Sequence, residues 1–382
     1  MITHILMKKT LKMVFLSIAV ILVMLIAGTA IFMNFHPVFG GKPTVAQKES
    51  YKKSDNYTNG LFKNAIETNM EMGTWEAIKM IPEYLSKEGR EPKVDIPVLK
   101  IDSLDIQKRI GDSTQITWFG HSSFLLEMES LKILLDPMLG ATPSPVAILG
   151  SKRYSKELPI EIAQLPEIDL VIFSHDHYDH LDYESILLLK DKVKQFYVPL
   201  GLASHLEKWG VLPEKIKEFD WWDEADYKGL KLACTPARHF SGRGVADRFT
   251  TLWASWVIKG TEDNIYFSGD SGYGPHFKEI GEKYGPFNFA MMECGQYNER
   301  WDNIHMMPEE TVQASIDIKA QQMMPIHWGA FTLALHPWQE SVERATAAAE
   351  KKNVKMVLPQ IGQTIAINEE LLPNDKWWEK YL

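Results

Sequence analysis

The chain has 382 residues, of which 45% are hydrophobic and 24% charged, an ordinary composition for one large globular domain or two smaller ones. Its net charge of −9 provides no general attraction for nucleic acid, so a nucleic-acid partner is not expected. Cys234 and Cys294 are the only cysteines. They are too few for a disulfide framework or a thiolate metal site, and both are predicted to be buried free thiols.

The first element along the chain is an apolar N-terminal segment. Residues 13–33, MVFLSIAVILVMLIAGTAIFM, carry no charge, and about 20 such residues span the roughly 30 Å hydrocarbon core of a bilayer. Lys8, Lys9 and Lys12 precede this run and favour a short cytoplasmic tail over residues 1–12. We therefore predict a single-pass membrane anchor with the rest of the chain outside the cytoplasm. A cleaved signal peptide is the alternative, which the length of the apolar run disfavours.

Residues 34–111 are predicted to form a linker and a helical N-terminal extension. Residues 34–60 are rich in Lys, Gly, Pro, Ser and Asn, a composition typical of loops. Residues 61–89 carry apolar side chains at mixed spacings of three and four, which predicts a helix that Pro82 interrupts.

From residue 112 to residue 382 short β-rich runs alternate with helical ones, which predicts one α/β domain built around sheets. The predicted strands lie in QITWFG, SFLLEM, LKILLD, LVIFSH, QFYVPL, LKLACTPA, TLWASWVIKG, NIYFSGD, FNFAMMEC and KMVLPQIG. The predicted helices lie at about 183–191, 200–209, 275–284, 308–320 and 338–352.

The densest chemical feature is HDHYDH, residues 175–180, directly behind the apolar run LVIFS. A strand that ends here and turns tightly directs His175 and His177 at one point. Asp179 and His180 are then directed at a second point a few ångströms away. Neutral imidazoles and carboxylates are the ligands that zinc accepts in the absence of thiolates.

Two metal ions need more ligands than this run supplies, and the sequence provides them at the ends of later apolar runs. His239 follows LKLACTPA, Asp270 ends NIYFSGD and His327 follows MMPI. Each of these residues alone is more often an ordinary hydrogen-bonded residue. Together with HDHYDH they predict a metal centre.

These stretches resemble the motifs of the metallo-β-lactamase superfamily, and most closely those of its branch of N-acyl-phosphatidylethanolamine-hydrolysing phospholipases D. The resemblance covers residues 112–367 and implies an α/β fold, a four-layer αβ/βα sandwich with metals in a cleft at one edge of two packed sheets. The stretches that carry it are TWFGHSSFLLEM, LLDPML, LPEIDLVIFSHDHYDHLDY, FYVPLGL, FDWWDE, LWASWVI, FSGDSGYGPHFKEIGEKYGPF, HMMPEETV and PIHWGAF.

The resemblance also implies how two divalent ions, zinc first, would be held. One ion would be bound by His175, His177 and His239. The second ion would be bound by Asp179, His180 and His327, with Asp270 bridging the two ions. Ions about 3.5–4 Å apart lower the pKa of a shared water and clamp the oxygens of a phosphodiester. Asp270 and Asp179 are the candidates for orienting that water or accepting its proton.

Three more residues are candidates for the site. His305, just before a predicted helix start, is placed to polarise a substrate phosphate or protonate the leaving oxygen, and the family carries a histidine there. His121 in WFGHSS would orient a metal ligand, with a structural turn histidine as the alternative. Arg238 would meet an anionic headgroup, with a solvated surface arginine as the alternative.

Four other polar residues are interpreted as structural. Asp136 is expected to hydrogen-bond near the motif loop, and Asp182 to cap the helix that begins near residue 183. His276 and His336 are expected to be ordinary surface or loop residues.

The resemblance and the anchor together predict a membrane-anchored, zinc-dependent phosphodiesterase of phospholipase D type. It would hydrolyse N-acyl-phosphatidylethanolamine-like lipids through a metal-bridging hydroxide. A metal-dependent hydrolase of a soluble lactone or sugar-phosphate is the alternative, since such chemistry needs the same site. A non-catalytic, membrane-bound binding protein on the same scaffold is a second alternative, which the full set of ligands disfavours. The branch also implies a homodimer.

Overall fold

The chain begins with a long helix, α1 (Ile2–Phe35), in a computed structural model that describes residues 2–70, 73–86, 89–108, 113–148 and 150–382. Within α1, the span Lys9–Phe35 has a mean hydropathy of 2.8, and none of its most apolar window is buried. This helix is long and apolar enough to cross a membrane. It contains the predicted segment 13–33 and continues beyond it at both ends.

The segment after α1 packs against the rest of the molecule. It contains a 3-10 helix (Pro37–Phe39), α2 (Val45–Tyr51), β1 (Tyr57–Thr58), β2 (Leu61–Phe62), α3 (Thr74–Leu85) and α4 (Ser103–Lys108). Tyr51 and Phe62 are buried in the main core, and the Phe62 amide donates to the Phe249 carbonyl at 2.8 Å. The stretch whose composition suggests a linker therefore lies on the domain surface as ordered structure.

The predicted helix over 61–89 is wrong in its first part. Leu61–Phe62 pairs with Tyr57–Thr58 as a small hairpin, and the helix begins only at Thr74. The predicted interruption at Pro82 is also wrong, because α3 continues through Pro82 to Leu85; the proline removes one backbone donor but does not end the helix there. Residues 71–72 and 87–88 of the predicted helix lie outside the described part of the chain.

The first large sheet has seven strands: β3 (Gln115–Trp118), β4 (Phe124–Met128), β5 (Leu131–Leu135), β6 (Ile168–Ile172), β7 (Val193–Pro199), β8 (Ile216–Phe219) and β15 (Thr364–Ala366). Their order is β15-β3-β4-β5-β6-β7-β8. The pairs from β15 to β5 are antiparallel and those from β5 to β8 are parallel. β6 therefore lies inside the sheet, and the loop that follows it emerges at the sheet edge.

The second large sheet has six strands: β9 (Glu224–Tyr227), β10 (Leu230–Thr235), β11 (Ser255–Lys259), β12 (Asn264–Phe267), β13 (Phe289–Glu293) and β14 (Met323–Ile326). Their order is β14-β13-β12-β11-β10-β9. β12, β13 and β14 run parallel, so the loops after them leave from one edge. Asp270, His305 and His327 lie in these loops, whereas His239 lies in the loop after β10.

The two sheets face each other across the main core, and helices cover their outer faces. In β5, Ile133 and Leu135 belong to the core between the sheets, whereas Leu134 belongs to the outer core, as the two-residue period of a strand requires. The outer face of the first sheet packs on α5 (Tyr183–Leu189), α6 (Ala203–Lys208) and a 3-10 helix (Ile162–Gln164). The outer face of the second sheet packs on α7 (His276–Lys283), α8 (Pro308–Asp317) and α9 (Glu340–Lys352).

The predicted four-layer αβ/βα sandwich is confirmed, and α5 to α9 coincide with the predicted helices. Two further 3-10 helices lie at Pro213–Lys215 and Trp377–Tyr381. Cys234 and Cys294 are buried free thiols, as predicted. The strand predicted in KMVLPQIG is wrong, because this segment makes only an isolated bridge between Met356 and Met323.

Candidate metal centre

The histidine-rich run forms a tight turn between β6 and α5. The amides of His180 and Leu181 both donate to the His177 carbonyl, at 3.1 and 2.8 Å. This turn brings the His180 ring back beside that of His175, with ring centroids 4.1 Å apart. Asp182 then caps α5 by accepting from the Ser185 amide, as predicted. The six residues of HDHYDH therefore direct several side chains at one edge of the sheets.

The first group of candidate ligands is His175, His177 and His239. The Nδ1 of His177 lies 2.9 Å from His175 Nε2 and 3.2 Å from His239 Nε2. Two nitrogens bound to one tetrahedral zinc lie about 3.3 Å apart, given zinc–nitrogen bonds of about 2.0–2.1 Å. The spacing of these nitrogens fits a shared metal ion.

The second group is Asp179, His180 and His327, with His121 beside them. Asp179 Oδ2 lies 3.5 Å from His180 Nε2 and 3.7 Å from His327 Nε2. His121 Nε2 lies closer to the same oxygen, at 2.9 Å. His121 therefore contacts a candidate ligand, as the prediction of an orienting role required.

Asp270 joins the two groups. Its Oδ2 lies 3.8 Å from the Nε2 atoms of both His175 and His239, and 3.2 Å from that of His180. Its Oδ1 lies 3.1 Å from His327 Nδ1. Asp270 thus occupies the position that a carboxylate bridging two ions requires.

Hydrogen bonds from outside the cluster fix the ring orientations of three candidate ligands. His180 Nδ1 lies 2.7 Å from Asp136 Oδ2, and His239 Nδ1 lies 2.9 Å from the Ile304 carbonyl. His175 Nδ1 lies 2.9 Å from Ser174 Oγ. Because Nδ1 is engaged in each ring, Nε2 points into the cluster, which is the arrangement of metal-binding histidines.

The electrostatics of the cluster favour a neutral imidazole at three candidate ligands but not at His180. Burial lowers the pKa of His180, but the charges of Asp270 and Asp179 outweigh it and raise that pKa well above its usual range. Burial, followed by the charge of neighbouring imidazoles, holds the pKa of three histidines well below the usual range: His175, His239 and His327. Burial alone would raise the pKa of Asp179, but His180 and the hydrogen bond from His121 hold it well below its usual range. Neutral imidazole and ionised carboxylate are the forms that bind a metal.

Buried polar atoms that lack a hydrogen bond indicate that the cluster can bind divalent metal ions. His180 Nε2 and Asp270 Oδ1 are buried and make no hydrogen bond in the described part of the chain, although both face other polar atoms. An unpartnered buried polar atom normally costs about 1–3 kcal/mol. A metal ion would satisfy these atoms together, because every donor here is an imidazole nitrogen or a carboxylate oxygen.

A cavity of about 300 Å³ opens onto the cluster. Its lining includes Asp179, Asp270 and His305 from the cluster side, and Arg248 and Arg300 on the rim. Arg300 forms a bidentate ion pair with Glu83 of α3, at 2.8 and 3.1 Å. Arg248 packs over Phe240, 4.5 Å from the ring centroid, and forms no ion pair within the described residues.

His305 lies beside the candidate ligands. Its ring stacks on that of His327, with centroids 5.3 Å apart. Its Nδ1 lies 3.2 Å from Oε1 of Glu293, a fully buried carboxylate at the end of β13. Burial lowers the pKa of His305, but the bond to Glu293 outweighs it and raises that pKa above its ordinary value.

The structure places the other sequence candidates outside the cavity. Arg238 donates to Thr68 Oγ1, the Tyr273 carbonyl and the Glu67 carbonyl, each at 3.1 Å, so it holds the N-terminal extension in place. Asp136 is buried and structural, as predicted. The surface assignment of His276 is wrong, because this side chain is buried and lies 3.1 Å from Ser271 Oγ.

Sequence reasoning missed several residues of the site. Glu293 ends a predicted strand and resembles any other acidic residue there, although its position at the same sheet edge as Asp270 was a usable signal. Arg248 and Gln296 line the cavity from loops, where the sequence pattern carries no positional information. Asp136 was expected near the loop, but its contact with His180 was not.

Comparison with known proteins identifies close matches in sequence. A family model described as "Beta-lactamase superfamily domain" matches residues 132–328. The protein Rv0906 of Mycobacterium tuberculosis is 38% identical over 349 residues, which cover 89% of this chain and 92% of that protein. The N-acyl-phosphatidylethanolamine-hydrolyzing phospholipase D 1 of Caenorhabditis elegans is 31% identical over 285 residues, covering 70% of this chain and 79% of that protein.

A solved structure shares the fold. The isothiocyanate hydrolase from Delia radicum gut bacteria superposes with a TM-score of 0.53 at 20% identity, covering 66% of this chain and 98% of that one.

Proposed function

Because the chain belongs to the metallo-β-lactamase superfamily and is therefore a metal-dependent hydrolase, we propose that it is a membrane-anchored phosphodiesterase of phospholipase D type. Its substrates are N-acyl-phosphatidylethanolamine-like lipids, and its products are a phosphatidic acid and an N-acylethanolamine. The similarity to the Caenorhabditis elegans phospholipase supports this choice of reaction.

The observation that carries the proposal is the cationic rim of the metal-cluster cavity. Arg248 presents a guanidinium there without a carboxylate partner in the described chain. An unpaired guanidinium suits an anionic phosphodiester, because its planar donors match phosphate oxygens. A neutral lactone gains nothing from this charge.

Two ions, zinc first, are proposed at the cluster because the seven candidate ligands divide into two groups joined by Asp270. Such ions activate water near neutral pH and neutralise charge that builds on a phosphoryl group. The ligand sets are those already described, with Asp270 shared.

The chain's own residues supply orientation and proton transfer. Asp179 and Asp270 both line the cavity, where either carboxylate can accept the proton of a water that attacks phosphorus. The bond between phosphorus and the N-acylethanolamine oxygen breaks, and His305 delivers a proton to that oxygen. Glu293 holds His305 by Nδ1, which leaves Nε2 for the leaving group.

The helix α1 provides the anchor in this proposal. Its apolar span is exposed in the isolated chain, which is favourable only in a lipid environment. Lys9 and Lys12 on its N-terminal side favour a cytoplasmic N-terminus, but Lys42, Lys48, Lys52 and Lys53 follow α1, so the charge bias toward an extracytoplasmic domain is weak. The domain would then face lipid substrate in the leaflet next to the end of α1.

A small-ester or lactone hydrolase is the second candidate, and the cavity volume favours it. About 300 Å³ is at the lower limit of typical ligand pockets, enough for a headgroup or a small ring without acyl chains. In the phospholipase proposal the acyl chains remain in the bilayer. A non-catalytic role is disfavoured by the complete set of candidate ligands.

The experiment uses the full chain in lipid nanodiscs, loaded with zinc and given N-acyl-phosphatidylethanolamine or a panel of lactones. Products are identified by mass spectrometry, with a chelator-treated sample and Asp270→Asn as controls. We expect the zinc-loaded native chain to form phosphatidic acid and N-acylethanolamine, and neither control to form them. Turnover of lactones with no cleavage of the lipid would favour the second candidate.

A further inference from the structure

A second cavity, of about 340 Å³, lies at the C-terminal end of α1. Its walls come from several parts of the chain: Met33 and Asn34 of α1, Phe39 to Pro43 with Lys48, Tyr57 and Gly60, Ser204 and His205, and residues 244–247, 250 and 251. We refer to it as the juxtamembrane cavity. None of the candidate metal ligands lines it, so it is separate from the metal-cluster cavity.

Hydrogen bonds fix the end of α1 to the domain, so the cavity is already formed before any ligand binds. Trp209 Nε1 donates to the Pro37 carbonyl at 2.6 Å. The buried guanidinium of Arg243 donates to the Val38 carbonyl, from Nη2 at 2.9 Å. The Gly41 amide donates to His205 Nδ1 at 3.0 Å. The domain is therefore seated at a defined place beside α1.

The length of α1 determines the position of the cavity relative to a bilayer that α1 spans. At 1.5 Å per residue, the 27-residue apolar span that ends at Phe35 is about 40 Å long, against roughly 30 Å of hydrocarbon. Met33 and Asn34 therefore lie at the level of the lipid headgroups when α1 spans a bilayer. Val245, another residue of the lining, is 87% exposed.

The charges of the cavity suit a phosphate. Lys42 and Lys48 are exposed and make no ion pair within the described residues. Among the described residues, Asp247 is the one acidic residue in the lining, and its carboxylate already accepts from the amides of Gly244 and Arg243, at 2.7 and 3.2 Å. Two free ammonium groups therefore border a cavity whose other wall carries apolar side chains.

We propose that the juxtamembrane cavity binds the headgroup of an anionic phospholipid, with its phosphate at Lys42 and Lys48 and its acyl chains along α1. This inference rests on the proposed function only in taking α1 as membrane-spanning. The bilayer is the source of the ligand, because the cavity combines cationic groups with apolar side chains at headgroup depth.

The bound lipid would act on the metal centre through the loop of residues 240–251. Within this loop, Phe240 and Arg248 line the metal-cluster cavity, and residues 244–247, 250 and 251 line the juxtamembrane cavity. The loop is attached to Asp176, which lies between two candidate ligands. Gly242 N and Thr251 Oγ1 donate to this carboxylate at 2.8 and 2.9 Å. Lipid at Lys42 and Lys48 would therefore hold the loop in the position seen here.

The test measures lipid contact directly. The full chain is reconstituted in phosphatidylcholine nanodiscs that contain a phosphatidylglycerol with a photoreactive group near its headgroup, and labelled peptides are mapped by mass spectrometry. The double variant Lys42→Glu and Lys48→Glu is compared with Lys351→Glu and Lys355→Glu, two exposed lysines of the C-terminal region. We expect labelling of peptides with residues 39–48 and 244–251, reduced about tenfold or more in the first variant and unchanged in the second.

Three results would overturn the proposal: equal labelling of both double variants, labelling confined to α1, or loss of labelling when soluble glycerol phosphate competes. The third result would assign the cavity to a free phosphate ligand. The experiment is repeated with Asp270→Asn, whose metal centre is impaired. Labelling there separates the lipid site from the catalytic proposal, which product analysis tests independently.

Discussion

His180 Nδ1 lies 2.7 Å from Asp136 Oδ2, and both side chains are completely buried. Asp136 also accepts from the backbone amide and the hydroxyl of Ser174, at 2.7 and 2.5 Å. A buried carboxylate at the end of β5 therefore orients the loop after β6 and one candidate ligand within it. Such outer partners of metal-binding histidines set both ring orientation and ligand basicity.

Replacing Asp136 by Asn tests this role. The amide keeps the shape of the side chain but cannot accept from all three donors, so we expect metal affinity to fall about 10- to 100-fold. Competition with a calibrated chelator measures this affinity, and circular dichroism checks the fold. Lys132→Gln, a change of a half-buried side chain on the same strand, is the control. An affinity equal to that of the native chain would remove Asp136 from the metal centre.

His305 is expected to protonate the leaving oxygen. His305→Gln should slow cleavage of a phosphodiester whose leaving group is an N-acylethanolamine about 10²- to 10⁴-fold. A p-nitrophenyl phosphodiester should be affected far less, because that leaving group needs no proton. The measurement is kcat for both substrates in the native chain and the variant. Equal losses for the two leaving groups would exclude proton donation by His305.

Arg248 is expected to determine selectivity for anionic substrates. Arg248→Gln should raise KM for a phosphodiester about five- to tenfold and leave the KM of a neutral ester unchanged. Arg300→Gln is the matched control, because Glu83 already neutralises that guanidinium. The difference in phosphodiester KM between Arg248→Gln and the native chain should become smaller at high salt, because salt screens exposed charges. The assignment fails if neutral and anionic substrates respond alike to Arg248→Gln.

Glu218 should make stability depend on pH. Burial raises the pKa of Glu218 to about 7, although the Gly201 amide and the Tyr51 hydroxyl contact its carboxyl group at 2.6 and 3.3 Å. The folded protein therefore holds a proton that the unfolded chain releases above its ordinary pKa of 4.5. The contribution of protonated Glu218 to the free energy of unfolding is therefore fully present below pH 4.5 and is lost as pH rises through about 7.

Glu218→Gln mimics the protonated form and should remove this dependence. The free energy of unfolding of the variant should exceed that of the native chain by on the order of 3 kcal/mol above pH 7 and by almost nothing near pH 4.5. Denaturant unfolding of both proteins from pH 4.5 to 8 measures the difference. A constant difference across that range would show that Glu218 does not titrate on unfolding.

The sequence indicated the candidate ligands because they are concentrated and regularly placed. HDHYDH follows an apolar strand directly, and His239, Asp270 and His327 each follow another apolar run, so the parallel strands bring them to one edge. The structure brings together the seven side chains that the sequence singled out. The residues behind them could not be recognised in this way. Asp136 and Glu293 are single acidic residues at strand ends, and only the packed sheets show which histidine each one contacts.

The errors in the fold have local physical causes. KMVLPQIG is apolar enough for a strand, but its Leu358 amide donates to the Pro373 carbonyl rather than to a neighbouring strand. The strand that does form, Thr364–Ala366, is too short to show a two-residue period. In the N-terminal extension, Phe62 is drawn into the core by the hairpin with Tyr57–Thr58, and tertiary packing overrides the helical pattern there.

The most direct test of the proposed reaction is hydrolysis of N-acyl-phosphatidylethanolamine by the full chain in water enriched with oxygen-18. Attack of water on phosphorus predicts one oxygen-18 in the phosphatidic acid and none in the N-acylethanolamine, with turnover abolished by a chelator. Oxygen-18 in a released fatty acid, or turnover that survives metal removal, would contradict a metal-dependent phosphodiesterase of phospholipase D type.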